Sequence, residues 1–288
     1  MPVPTTDSVR PTPLLLLSGL WHGSWCWSEV LPYLAATGRI VVPVDLAGHG
    51  LYARRPASYG HGRHDPVAVD TAITPGPRVS MDDAADLLLS QIEQIGGGSP
   101  VSVLAHSTAG LVLTRVAEQA PESIAHAIYL TAFMPASGVE PAFYNEIGEA
   151  AGNELRPLYR GDPTQTGALR LDLGTDDQRY LAAVRHALYH DVDRSLADAA
   201  IALLSPDSPV GITLGGTTLT AAGWGSVPRS YIVCTEDRAL MPAVQQRFIA
   251  EADAAFPDNP TTVDCLESSH SPFLSMPREL ARIIADKV

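Results

Sequence analysis

Pro100-Val-Ser-Val-Leu-Ala-His-Ser-Thr-Ala-Gly110, running on into Leu111-Val-Leu-Thr-Arg-Val-Ala-Glu-Gln-Ala120, decides how the rest of the chain is read. Val101, Val103 and Leu104 form the apolar run of a short buried strand, and Leu111, Val112, Val116 and Ala120 recur at helical spacing. Ser107 therefore falls on the turn between strand and helix. A serine there is the mark of a nucleophile elbow, G-x-S-x-G, whose sharp turn lifts the hydroxyl above the sheet and needs small neighbours on either side. Ala105 and Ala109 stand where the motif has glycine, and alanine is the smallest residue that still carries a Cβ. The competing reading is a serine N-cap at an ordinary strand-to-helix junction.

Composition bounds the answer. A chain of 288 residues buries a large core, and with 45% apolar and 18% charged residues it is an ordinary globular protein. The net charge of −13 argues against nucleic-acid and anionic-membrane surfaces, leaving a small molecule as the expected partner and allowing for a homodimer. Cys26, Cys234 and Cys265 are odd in number and widely spaced, so no disulfide framework or zinc motif is expected. Cys234 and Cys265 read as small core residues in strands, which fits a reducing, cytoplasmic setting. The four-leucine run Leu14 to Leu17 follows Pro11 and Pro13 rather than a basic segment, so a signal-peptide core is not expected there, and no stretch reaches transmembrane length.

Outward from the elbow, strands alternate with helices. Residues 1 to 13 carry four prolines and read as an extended lead-in. Leu14 to Leu17 is a buried strand, followed by a glycine-bearing loop, Ser18-Gly19-Leu20-Trp21-His22-Gly23, and a helix expected over 24 to 37. Arg39 to Asp45 is a second strand. Residues 51 to 78 lack periodicity and read as a solvated loop, in which His61-x-x-His64-Asp65 matches no strong metal motif. Ser80 and Asp83 form a capping box for a helix that stops at Gly96-Gly97-Gly98. Ala125 to Thr131, Tyr231 to Thr235 and Thr261 to Leu266 are further strands, with helices from Pro242 and over 277 to 286. The alternation predicts a mostly parallel sheet of about six strands flanked by helices. It lapses between residues 135 and 228, where helical patterns at 139 to 151, 177 to 190 and 194 to 205 read as a cap insertion between two core parts, 1–134 and 229–288.

Three strand ends then carry Ser107, Asp237 and His270, in the chain order of an α/β-hydrolase triad. In that arrangement Ser107 attacks a carbonyl, His270 moves the proton, and Asp237 fixes the imidazole. The backbone N–H groups of Thr108 and Leu20 are the expected oxyanion donors, and Trp21, His22 and Trp25 the expected pocket residues. Glu236 and Glu267 compete with Asp237 for the acid, and His22, His49 and His106 with His270 for the base. Strand alternation, if it holds into the turn, points His106 away from the face that Ser107 uses, so this histidine reads as structural.

Ser18 to Trp27, Ala105 to Gly110, Ala132-Phe-Met-Pro135, Tyr231 to Arg238 and Ser269-His-Ser-Pro272 together resemble the α/β-hydrolase branch of plant methyl esterases and hydroxynitrile lyases. The resemblance implies the α/β-hydrolase fold, no cofactor and no metal. It places the acid at Asp237 ahead of Glu236 and the oxyanion donors at Leu20 and Thr108. Ser18 stands where the family has histidine before its first glycine, and the elbow glycines are alanine. Ser271 follows His270 where the lyases carry lysine, and Gly19 replaces their threonine, so the resemblance leans toward the esterases.

The expected function is a cofactor-independent serine hydrolase of a carboxylic ester, such as a methyl ester or lactone of a hydrophobic small molecule. Two alternatives stay open: a lyase or cyclase of secondary metabolism using the same serine and histidine for proton transfer, and a small-molecule receptor on a hydrolase scaffold. Epoxide hydrolase and dehalogenase chemistry need a carboxylate nucleophile, which this elbow lacks.

Overall fold

The computed structural model describes residues 11–56, 59 and 64–288. Residues 1–10 of the proline-rich lead-in, and His61, lie outside them. Six strands form one parallel sheet: β1 (Leu14–Leu17), β2 (Val41–Val44), β3 (Val101–His106), β4 (Ile124–Leu130), β7 (Arg229–Cys234) and β8 (Thr262–Leu266), in the order β2-β1-β3-β4-β7-β8. Leu14 to Leu17 are fully buried because helices cover both faces of the sheet, which is why this strand is apolar at every position rather than at alternate ones. Register is continuous across the middle: Leu17 lies beside Ala105, His106 beside Leu130, and Tyr129 beside Tyr231. The carboxyl ends of β1, β3, β7 and β8 thus share one edge, the usual location of a site in an open α/β sheet.

The local signals hold where chemistry is explicit. The helix Met81–Gly96 starts on a reciprocal capping box between Ser80 and Asp83 and ends on Gly97 in the left-handed region, at φ 56°. Helices Gln178–Tyr189 and Arg194–Leu203 begin on Asp177 and Asp193, whose carboxylates accept from the first free backbone amides.

Several expectations are corrected. The helix expected over 24 to 37 divides into a 3-10 turn, Ser24–Trp27, and a short α-helix, Leu31–Ala35. That expected over 139 to 151 shrinks to Phe143–Glu146 and a 3-10 turn, Gly148–Ala150, in a stretch interrupted by Pro141 and Gly148. Residues 51 to 78 are not simply a solvated loop: Pro66–Thr71 is a helix capped by Asp65. Arg170 reaches across to donate to the carbonyls of Val69 (2.6 Å) and Ala72 (2.9 Å), and Arg160 forks onto Asp70. His64 binds the buried Asp172 at 3.0 Å. Cys265 is exposed, not core, because β8 is the edge strand and turns that side chain to solvent, whereas Cys26 and Cys234 are buried. Lys287, the only lysine, pairs with Asp264 on this edge at 2.7 Å, placing charge where an open strand would otherwise invite pairing.

Between β4 and β7 a second, two-stranded antiparallel sheet forms from β5 (Ala168–Arg170) and β6 (Asp207–Pro209). Three residues per strand are too few for a readable period. A buried bidentate pair, Arg170 with Asp207 at 2.6 and 2.8 Å, locks it. Among the described residues no helix is long and apolar enough to cross a membrane.

Candidate active site

Ser107 stands between β3 and the helix Ala109–Gln119 with φ 56°, a left-handed conformation unfavourable for any residue with a Cβ. Neighbouring backbone holds it there: the Ser107 N–H donates to Leu130, and the Ser107 carbonyl accepts from Gly110 and Phe133 at 3.1 and 3.0 Å. Ala105 and Ala109 are fully buried and fit. The closest approaches fall elsewhere. A Cβ on Gly19 would lie 2.6 Å from the Ser107 Cβ, and one on Gly110 would lie 2.3 Å from the Phe133 carbonyl oxygen. The room that the motif normally obtains from its own glycines is provided here by a glycine on the adjoining loop and one a residue further into the helix.

His270 Nε2 lies 3.0 Å from Ser107 Oγ, and His270 Nδ1 lies 2.6 Å from Asp237 Oδ2. Asp237 is saturated by donors: Oδ1 accepts from the backbone N–H groups of Ala239 (2.7 Å) and Leu240 (2.9 Å), and Oδ2 also accepts from the Thr131 hydroxyl at 2.5 Å. These partners place the imidazole proton on Nδ1, leaving Nε2 to accept from serine. Thr131 has no counterpart in the sequence reading. It directly follows β4 in a positive-φ conformation (35°), fully buried, and no motif marks it. Glu236 and Glu267 are exposed and take no part.

His106 does not turn away from the site. Its ring packs 4.5 Å from that of His270, and its Nε2–H donates to the His270 carbonyl at 2.8 Å, so it fixes the backbone that carries the base. Alternation fails here because the chain leaves the extended conformation at the very next residue. His22 is also committed: its Nδ1–H donates to the Leu20 carbonyl at 2.8 Å, and its Nε2 accepts from the Tyr189 hydroxyl at 2.6 Å.

A cavity of about 300 Å³ opens over Ser107 and His270, walled by Trp21, Leu111, Phe133, Leu155, Tyr159 and Leu240 among others. Trp21 and His22 line it as expected. Trp25 does not: it stacks on the far side of His22 and faces a different cleft beside Asp45 and Leu51. Leu20 and Thr108 both border the cavity, and among the described residues neither backbone N–H has an acceptor within the chain. Such an arrangement can present two donors to a developing negative charge beside an alcohol that can lose its proton.

Burial sets the protonation of the surrounding histidines. His22 and His49 are pushed down to about 4 by loss of hydration, and His106 falls well below the ordinary histidine range for the same reason. With a folded-state value near 4 and an unfolded value near 6.5, the unfolded chain binds more protons throughout that window, so stability rises with pH across it and is lost on acidification. At pH 5, His22 and His49 should each have removed about 2 kcal/mol relative to pH 7.5. Urea midpoints across this range check the expectation, with His49→Gln flattening the slope. A midpoint indifferent to pH between 7.5 and 5 would contradict it.

The chain matches the model of the alpha/beta hydrolase family over residues 14–283. It is 30% identical to Methylesterase 1 of Arabidopsis thaliana, covering 98% of this chain and 99% of that protein. It is 28% identical to Norfluorocurarine synthase 1 of a Strychnos species, over 95% of each. The structure of polyneuridine aldehyde esterase superposes with a TM-score of 0.71 at 21% identity, over 96% of this chain and 98% of that one, which bears on the fold alone. Taken with the elbow and the strand-end residues, these likenesses show that the chain belongs to the alpha/beta hydrolase family and resembles its methylesterases.

Proposed function

We propose that the protein hydrolyses a carboxylic ester of an apolar small molecule, with Ser107 as nucleophile, His270 as general base and acid, and Asp237 orienting the imidazole. The observation that carries this reading is the unbroken chain of hydrogen bonds from serine to carboxylate, 3.0 and then 2.6 Å, at the floor of an apolar cavity. Ser107 Oγ adds to the ester carbonyl as its proton passes to His270 Nε2. The tetrahedral oxyanion is held by the N–H groups of Leu20 and Thr108. Collapse expels the alcohol, which takes the proton from His270, and a water activated by the same nitrogen releases the acid from the acyl-enzyme.

The esterase names among the relatives support the reaction class. A cavity near the lower end of ligand-sized pockets, about 300–1,000 Å³, favours a compact acyl group and a small alcohol such as methanol, or a lactone. The segment from 135 to 228 serves as the cap, since Leu155, Tyr159 and Leu188 on it wall the cavity. Three unpaired cysteines agree with a reducing, cytoplasmic setting.

Turnover of a panel of alkyl esters, aryl esters, thioesters and lactones in ¹⁸O-labelled water tests the reading. Equimolar acid and alcohol are expected from an ester, acid and thiol from a thioester and one hydroxy acid from a lactone, each with one labelled oxygen in the acid, and a fluorophosphonate should label Ser107 once per chain. A rearranged product without solvent oxygen would instead favour proton transfer by the same serine and histidine.

A further inference from the structure

The peptide joining Leu20 to Trp21 is clamped at both ends by side chains. Its N–H, on Trp21, donates to Ser208 Oγ at 2.7 Å, and its C=O, on Leu20, accepts from His22 Nδ1 at 2.8 Å, while His22 is itself held by Tyr189. The next carbonyl, that of Trp21, accepts from Ser205 N at 2.8 Å, and the Trp21 indole donates to the Leu169 carbonyl at 3.0 Å. Leu169, Tyr189, Ser205 and Ser208 all belong to the segment between β4 and β7. Trp21 has φ 62°, where a residue with a Cβ does not stay without support. Ser208, Tyr189 and His22 are buried, so water does not readily replace a lost partner.

A flip of this peptide would relax Trp21 and break both clamps. The adjoining Gly19–Leu20 peptide, whose N–H is the proposed oxyanion donor, shares the Leu20 Cα, so its direction depends on the clamp. Neither Ser208 nor Tyr189 lines the cavity. We propose that Ser208 is a positioning residue for the oxyanion, with Tyr189 acting through His22 on the other end of the same peptide. The cap is then part of the machinery that builds the oxyanion site as well as a wall for substrate. This rests on the ester-hydrolase reading above.

The test compares wild type, Ser208→Ala, Ser208→Thr and Tyr189→Phe, with rates expressed per active site titrated by a fluorophosphonate. Removing an oxyanion donor outright costs about 10²–10³ in kcat, and loosening one should cost about tenfold. Ser208→Ala is expected to lose about tenfold in kcat with KM within about twofold, because only the transition state uses the donor. Inhibition by an aryl trifluoromethyl ketone, which forms a tetrahedral adduct, should weaken by the same factor. Ser208→Thr, which retains the oxygen, should recover most of both, and Tyr189→Phe should show the same paired loss. Unchanged kcat and ketone affinity per titrated site in Ser208→Ala would overturn the proposal, with Tyr189→Phe deciding if that variant does not fold. If wild type neither turns over esters nor binds the ketone, the ester-hydrolase reading fails instead.

Discussion

Replacing Ser107 with alanine is expected to lower kcat, on whichever ester the wild type hydrolyses, by on the order of 10⁵, and adding His270→Ala should cost little more. The non-additivity follows from the geometry. His270 Nε2 has Ser107 Oγ as its partner at 3.0 Å, so once the hydroxyl is gone the imidazole has no proton to take. The elbow adds an independent prediction about folding. Ser107 is held at φ 56°, and alanine inherits that strain while glycine does not, so Ser107→Gly should be as inactive as alanine yet more stable by about 1 kcal/mol. Rates under saturating substrate and thermal midpoints of the two variants read both effects. An alanine variant within about tenfold of wild type would remove the nucleophile role altogether.

What the sequence showed and what it hid follow one physical distinction. Ser107, Asp237 and His270 were visible because each follows an apolar run that reads as a strand, and a parallel sheet brings such strand ends to one edge. The helices Gln178–Tyr189 and Arg194–Leu203 were visible from their apolar spacing, and the structure adds an aspartate cap to each. The hidden features are held by contacts between residues far apart in the chain. Thr131 serves Asp237 across 106 positions, and Ser208 serves Trp21 across 187, with no period or turn residue to announce either. The helix Pro66–Thr71 is short and its apolar face small, and buried and half-buried arginines from another segment hold it. For His106 only the direction departs from the sequence reading, because two-residue alternation does not carry through an elbow that breaks it; its hydrogen bond to the His270 carbonyl is a structural role.

Asp237→Asn should reduce kcat by about 10⁴ at neutral pH while leaving the fold intact, and the cause is the direction of each hydrogen bond around this side chain. Oδ1 accepts from two backbone N–H groups, Ala239 and Leu240, so the asparagine oxygen must take that position. Its NH₂ then occupies the place of Oδ2, facing the Thr131 hydroxyl and His270 Nδ1. Thr131 can rotate its hydroxyl to accept, but the ring nitrogen accepts only if its proton moves to Nε2. There it faces Ser107 Oγ as a donor and can no longer take the serine proton. Glu236→Gln, one residue earlier but exposed, should be silent, and Thr131→Val should cost about tenfold because it removes one of four donors to the carboxylate and leaves the tautomer in place. ¹⁵N chemical shifts of the His270 ring distinguish the tautomers directly. An asparagine variant that keeps Nδ1 protonated, or that retains more than about a tenth of wild-type kcat, would show that the carboxylate does not fix the ring and that the order Ser107, Asp237, His270 along the chain carries no catalytic meaning.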